Sequence, residues 1–172
     1  ALVVSDDVVR EWNVTAIGAA LAGLVRKIDG AGLLVTGDSS IDEAAQITSA
    51  VVAGHLGWPC FQDVSEVEAN GDGWTITQSS AAGTRTITVN GPAVVATTTD
   101  AAALKLPGMK DVLAAAKKPL DVVDIAELGI TPLTLEVTGH ARPVSKERKK
   151  ELFDGDDAAV KLVEALRSAG VL

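Results

Sequence analysis

The chain has no Tyr, one Cys, one Met, two His, two Phe and three Trp among 172 residues. So few aromatics argue against a base-stacking platform for single-stranded nucleic acid, which lays rings along a basic groove. A single thiol, Cys60, excludes an internal disulfide and any multi-cysteine metal centre. It lies between Trp58-Pro59 and Phe61, so a buried structural thiol is expected there. Positive charge is short too: 15 Lys and Arg against 23 Asp and Glu leave a net charge of −8. Nucleic-acid backbones need clustered cations. The two clusters present, Lys117-Lys118 and Lys146 with Arg148, Lys149 and Lys150, read as a solvated helix face or a docking patch. Nucleic acid is therefore not an expected partner. The longest uncharged stretch, Trp12 to Val25, falls short of the roughly 20 residues of a membrane span. Ala1 to Val4 is too short for the apolar core of a secretory leader, and Asp6-Asp7 follow at once. A soluble, reducing, cytoplasmic setting is expected.

What is present is aliphatic. Hydrophobic residues make up 47% of the chain, mostly Ala, Val, Leu and Ile, the composition of helices packed on a Val-rich parallel sheet. Ala1 to Val4 reads as a strand. From Val8 to Ile28 the residues Val9, Trp12, Ala16, Ala20, Leu21, Leu24 and Ile28 recur at helical spacing, with Arg26-Lys27 in the last turn. Leu33 to Thr36 is a second strand, followed by a helix expected from about Asp42 to Leu56. Strand, helix, strand, helix at these lengths means βαβ units. Val64 to Ala69, Trp74 to Ser79 and Thr84 to Val89 then alternate apolar with polar around Asn70-Gly71-Asp72-Gly73 and Ala82-Gly83, an antiparallel meander. Pro92 to Thr97 returns to a buried strand. A helix follows around Met109 to Ala116, and a strand at Leu120 to Val123. An amphipathic helix from Ala158 to Ser168 carries Val160, Leu162, Val163 and Leu166, with Val171 beyond it. That last helix suits packing on a neighbouring subunit or back on its own domain. The expected fold is α/β: a mostly parallel sheet flanked by helices, a meander insertion, and a helical arm. Residues 1–138 form the domain and 139–172 the arm.

The loop after the second strand is the most informative segment. In open α/β sheets, ligands bind beyond the carboxyl ends of strands, where helix N-termini offer N–H groups to phosphate. Gly37 permits a tight turn, and Ser39, Ser40 and Thr48 supply hydroxyls. Asp42 suits the helix cap. The glycine-rich turn of short-chain dehydrogenases is not met, because Ile41, Asp42 and Glu43 occupy the later glycine places and the catalytic Tyr is lacking. A P-loop is excluded as well, since no Gly-Lys-Ser/Thr follows. His55 and His140 stand in no zinc-ligand spacing, and no pair of carboxylates is marked for acid/base work. The expectation is a protein that is not an enzyme.

Several segments, in order, resemble the beta subunit of electron transfer flavoproteins: Ala1 to Asp7; Leu33 to Pro59, with its Gly54-His55-Leu56-Gly57-Trp58-Pro59 ending; Gly91-Pro92-Ala93-Val94-Val95-Ala96-Thr97; and Met109 to Val122 with Lys117-Lys118-Pro119, followed by Glu127-Leu128-Gly129. The resemblance implies an alpha subunit that carries most of the FAD site, and a structural AMP or a second FAD on this chain. It implies electron flow from acyl-CoA or related dehydrogenases toward an acceptor. Nucleotide contacts would fall to Thr36, Gly37, Ser39, Ser40, Asp42, Gln46 and Thr48, and dehydrogenase docking to Lys105, Leu106 and Met109. The family's Asp-Gly-Asp-Thr-Gly-Gln is replaced by Asp42 to Thr48, so Asp38, Asp42 and Glu43 put negative charge near a would-be phosphate, while Gln46 and Thr48 keep donors. Family members carry further strands ahead of this point; the resemblance implies a match to their C-terminal two-thirds, with the first strands missing. Two other readings are a nucleotide-free interaction module and, ranked below it, an enzyme of the adenine-nucleotide hydrolase-like fold.

Overall fold

The computed structural model describes residues 1–5, 13–42, 44–130, 136, 138–145 and 150–172. Several expectations lie outside them: Asp6-Asp7, the first helix's start at Val8 with Val9 and Trp12, Glu43, and the basic residues Lys146, Arg148 and Lys149. The chain divides into two compact units, Ala1–Glu136 and Val137–Leu172.

The first unit follows the expected α/β layout. Its elements are β1 (Leu2–Ser5), α1 (Val14–Arg26), β2 (Leu33–Gly37), α2 (Thr48–Leu56), β3 (Cys60–Asn70), β4 (Gly73–Ser80), β5 (Gly83–Asn90), β6 (Ala93–Thr97), α3 (Met109–Ala115) and β7 (Asp121–Asp124), with a 3-10 turn at Ile125–Leu128. Three of the five strand pairings are parallel: β1 with β7, β2 with β6, and β3 with β6. The meander adds β4 and β5 antiparallel, giving one sheet in the order β2-β6-β3-β4-β5 and a second of β1-β7.

The centre of the larger sheet is β6, whose Ala93, Val94, Val95 and Ala96 are fully buried. Successive side chains face opposite sides of a strand, so β6 serves two cores at once. On one side Ala93 and Val95 join Val64 and Ile76, with Leu33, Phe61, Val67, Trp74 and Val89 packed around them. The sheet curls over this cluster, because the Trp74 indole on β4 reaches across to donate to the Gly32 carbonyl at 3.0 Å. On the other side lies α2. Helix α1 packs on α2 through Gly18, where an added Cβ would stand 2.5 Å from Val51 Cγ1. Its Gly23 sits under Leu128 of the 3-10 turn, so α1 ties the two sheets together. Asn13 caps α1 by accepting from the Ala16 N–H at 3.0 Å.

Two expectations are corrected. The second helix begins at Thr48, not near Asp42, and its cap is Ile47 with no side-chain bond. Ala44 and Gln46 hold φ of +48° and +52°, the left-handed region, which no α-helix can include. Asp42 therefore caps nothing in α2. The third strand starts at Cys60, so the thiol is half-buried on a strand rather than sealed in a core. Beyond these corrections, Val35 on β2, an edge strand of its sheet, is 53% exposed.

The second unit contains α4 (Ala158–Ser168), closed by Gly170 N–H to the Arg167 carbonyl and Val171 N–H to the Leu166 carbonyl, both 3.0 Å, with Gly170 at φ +69°. Lys161 pairs with Asp157 at 2.9 Å. Helix α4 buries none of its residues, and Val160, Leu162 and Val163 stand exposed. Among the described residues, no helix is long and apolar enough to cross a membrane.

Candidate functional site

Strands β2 and β6 run in parallel and end together at Gly37 and Thr97. Their ends are laced: the Thr97 hydroxyl donates to the Thr36 carbonyl at 3.2 Å, the Thr36 hydroxyl to the Val95 carbonyl at 3.4 Å, and the Asp38 N–H to the Thr97 carbonyl at 3.1 Å. Beyond Gly37 the chain turns away, and a cavity of about 320 Å³ opens between this turn, the start of α2 and the inner face of α1.

Six of the seven residues expected for nucleotide contact line it: Thr36, Gly37, Ser39, Ser40, Gln46 and Thr48. Asp42 does not; it is an exposed turn residue. Val14, Leu21, Asp38 and Ala45 complete the lining. Val14 and Leu21 are seven residues apart on one face of α1, a spacing visible in the sequence whose target is set only by tertiary packing.

The turn is held by polar contacts rather than burial. Gln46 donates from Nε2 to Asp38 Oδ2 at 3.1 Å, and its own carbonyl accepts from Gln62 Nε2 at 2.7 Å. Ser39 donates to the Ser40 carbonyl at 3.3 Å, and the Ala44 N–H bonds the Ser40 carbonyl at 3.1 Å. Just beyond β6, the Thr98 hydroxyl and a backbone N–H hold the Asp100 carboxyl below the usual carboxylate range.

These contacts define what the cavity can recognise. Among the described residues, its lining holds one carboxylate, Asp38, and no Lys or Arg. The start of α2 offers N–H groups that no side chain caps, beside Thr48 in the wall. One phosphate fits such a helix start, and hydroxyls or an amine fit Asp38. No group of three or more His, Cys, Asp or Glu among the described residues could hold a metal ion.

The three residues expected to dock a dehydrogenase lie elsewhere, Lys105 and Leu106 on the loop into α3 and Met109 at its first position. Leu106 and Met109 are 78% and 75% exposed, and Lys105 is exposed as well. Helix α3 buries none of its residues.

A parallel β/α layout with a cavity at the carboxyl end of adjoining strands is the arrangement of α/β ligand-binding proteins. Residues 1–128 match the electron transfer flavoprotein domain, so the chain belongs to that family. The role that goes with it is electron transfer, in association with flavin.

Proposed function

We propose that this chain is the beta-subunit kind of electron transfer flavoprotein, a non-catalytic redox subunit working with an alpha subunit that carries most of the FAD site. In this reading it helps pass electrons from acyl-CoA-type dehydrogenases to an acceptor in the cytoplasm. Residues 1–138 serve as the nucleotide-fold domain and 139–172 as an arm. The observation that carries the reading is the cavity beyond β2, where six expected contact residues meet an uncapped helix start. We assign it AMP, or the adenylate part of a second FAD. The phosphate sits at the α2 N-terminus beside Thr48, and the ribose hydroxyls are taken by Asp38 and the serines. The protein holds and orients the nucleotide; Val14 and Leu21 exclude water from one side. When bound on the partner, flavin supplies the electron chemistry. Leu106 and Met109, apolar and uncovered, dock the dehydrogenase, with Lys105 meeting its acidic rim.

The test is to purify the chain with its partner subunit, denature the complex and chromatograph what is released. AMP, or FAD beyond the partner's own, is expected. Recovery of neither would sink the nucleotide assignment. The carboxylate of Asp38 in the wall favours a second reading, a family member that keeps the fold and docks without nucleotide. The same chromatogram separates the two.

A further inference from the structure

A file of side chains joins the far hairpin to this cavity. Arg85 on β5 donates from Nε to Gln78 Oε1 at 2.9 Å, and Gln78 on β4 donates from Nε2 to the backbone carbonyl of Gln62. Gln62 on β3 donates from its own Nε2 to the Gln46 carbonyl at 2.7 Å and lies 3.5 Å from Ser49 Oγ in α2. Gln46 closes the file on Asp38 at 3.1 Å. Each amide is oriented by its own partner: Gln78 turns its oxygen to the Arg85 guanidinium, Gln62 its nitrogen to the Gln46 carbonyl, and Gln46 its nitrogen to the Asp38 carboxylate.

Gln62 follows the inward Phe61 and so faces α2, and a bulge after Phe61 returns Val64 to the core. Phe61 pairs with Val95 and Val64 with Thr97, so β3 uses one residue more than β6 over the same interval. Asp63, in the bulge, has φ +54°. In a regular strand Phe61 and Val64 would face opposite sides. With the bulge both pack against the buried cluster, and Gln62 keeps its place toward α2, where Ser49 is buried. Gln46 needs such an anchor. It is an exposed non-glycine residue at φ +52°, a conformation that persists only where its surroundings over-determine it.

We propose that Gln62 is a positioning residue for the cavity at the end of β2. By holding the Gln46 carbonyl it fixes the turn into α2 and so presents Gln46 and Thr48 to a mononucleotide. The nucleotide part rests on the function proposed above; the hold on Gln46 does not.

Gln62→Leu keeps the volume and removes the donor. Without nucleotide, exchange of the hydrogen-bonded Ala44 and Val51 amides should quicken about tenfold, relative to amides in β4 and β5. AMP affinity by calorimetry should fall about tenfold in parallel. Gln62→Glu turns an acceptor toward the Gln46 carbonyl and should loosen the turn at least as much. Unchanged exchange in both variants overturns the proposal, and quickened exchange with unchanged AMP affinity overturns the link to the cavity. If Gln62→Leu does not fold, Gln62→Glu decides: quickened exchange of the same amides is expected, and no change refutes the hold on Gln46. If the wild-type chain binds no AMP, the nucleotide reading falls and the exchange data alone decide the hold on Gln46.

Discussion

Two stretches of this chain that carry apolar side chains, Ala93–Thr97 and Leu104–Leu113, are opposite in fate. The first is β6, whose Val94 and Val95 are fully buried between parallel neighbours. The second holds Leu104, Leu106, Met109, Val112 and Leu113, each more than half exposed. An apolar residue in a covered strand contributes stability through burial, roughly 1.5–3 kcal/mol for a Val or Ile side chain. An apolar residue left on a short helix contributes little to the fold and is available to a partner. The first stretch is free of charge and central in its sheet; the second is broken by Lys105, Pro107, Gly108, Lys110 and Asp111 and belongs to no strand.

The contrast breaks most visibly in the core. Ile76→Ala, at a fully buried site beside Val95, should cost about 2–5 kcal/mol, read as a lowered denaturation midpoint. A loss near zero would mean that the curled sheet is not the folding core. The exposed stretch should behave in the opposite way. Leu106→Ala and Met109→Ala should leave the midpoint within about 0.5 kcal/mol. Their affinity for a dehydrogenase partner should fall by about 1–3 kcal/mol if either is the anchor. Unchanged electron-transfer rates in both variants refute the docking assignment. Between these extremes, Asn13→Ala removes the cap of α1 and should cost about 1 kcal/mol of stability. The smallest effect belongs to the surface pair on α4. Lys161→Ala should shift stability by about 0.3–0.5 kcal/mol, and less in high salt.

Local sequence signals account for much of the fold. The alternation in β4 and β5, with Gly71 between β3 and β4 and Ala82-Gly83 at the next turn, announces a meander, and the structure forms one. The helical spacing of Ala16, Ala20 and Leu24 likewise survives in α1. What failed was set by contacts distant in sequence. Ala44-Ala45-Gln46 reads as good helix, yet the segment is drawn out of helix by Gln62, sixteen residues further on, and by Asp38. Gln62 itself was hidden because the strand was expected to begin at Val64, whereas pairing with β6 extends it back to Cys60. The edge position of β2, on which Val35 is half-exposed, depends on strand order, which no window along the chain contains. The candidate site was legible as a set of polar residues after a strand. Its walls from α1 and its Asp38–Gln46 tie were not.

The most direct test of the account is amide hydrogen exchange of the folded chain with and without added AMP. The account predicts slowed exchange confined to Gly37–Thr48 and the first turn of α2, with β4 and β5 unaffected. Protection elsewhere, or none at saturating AMP, would contradict the assignment of the cavity beyond β2 as a nucleotide site.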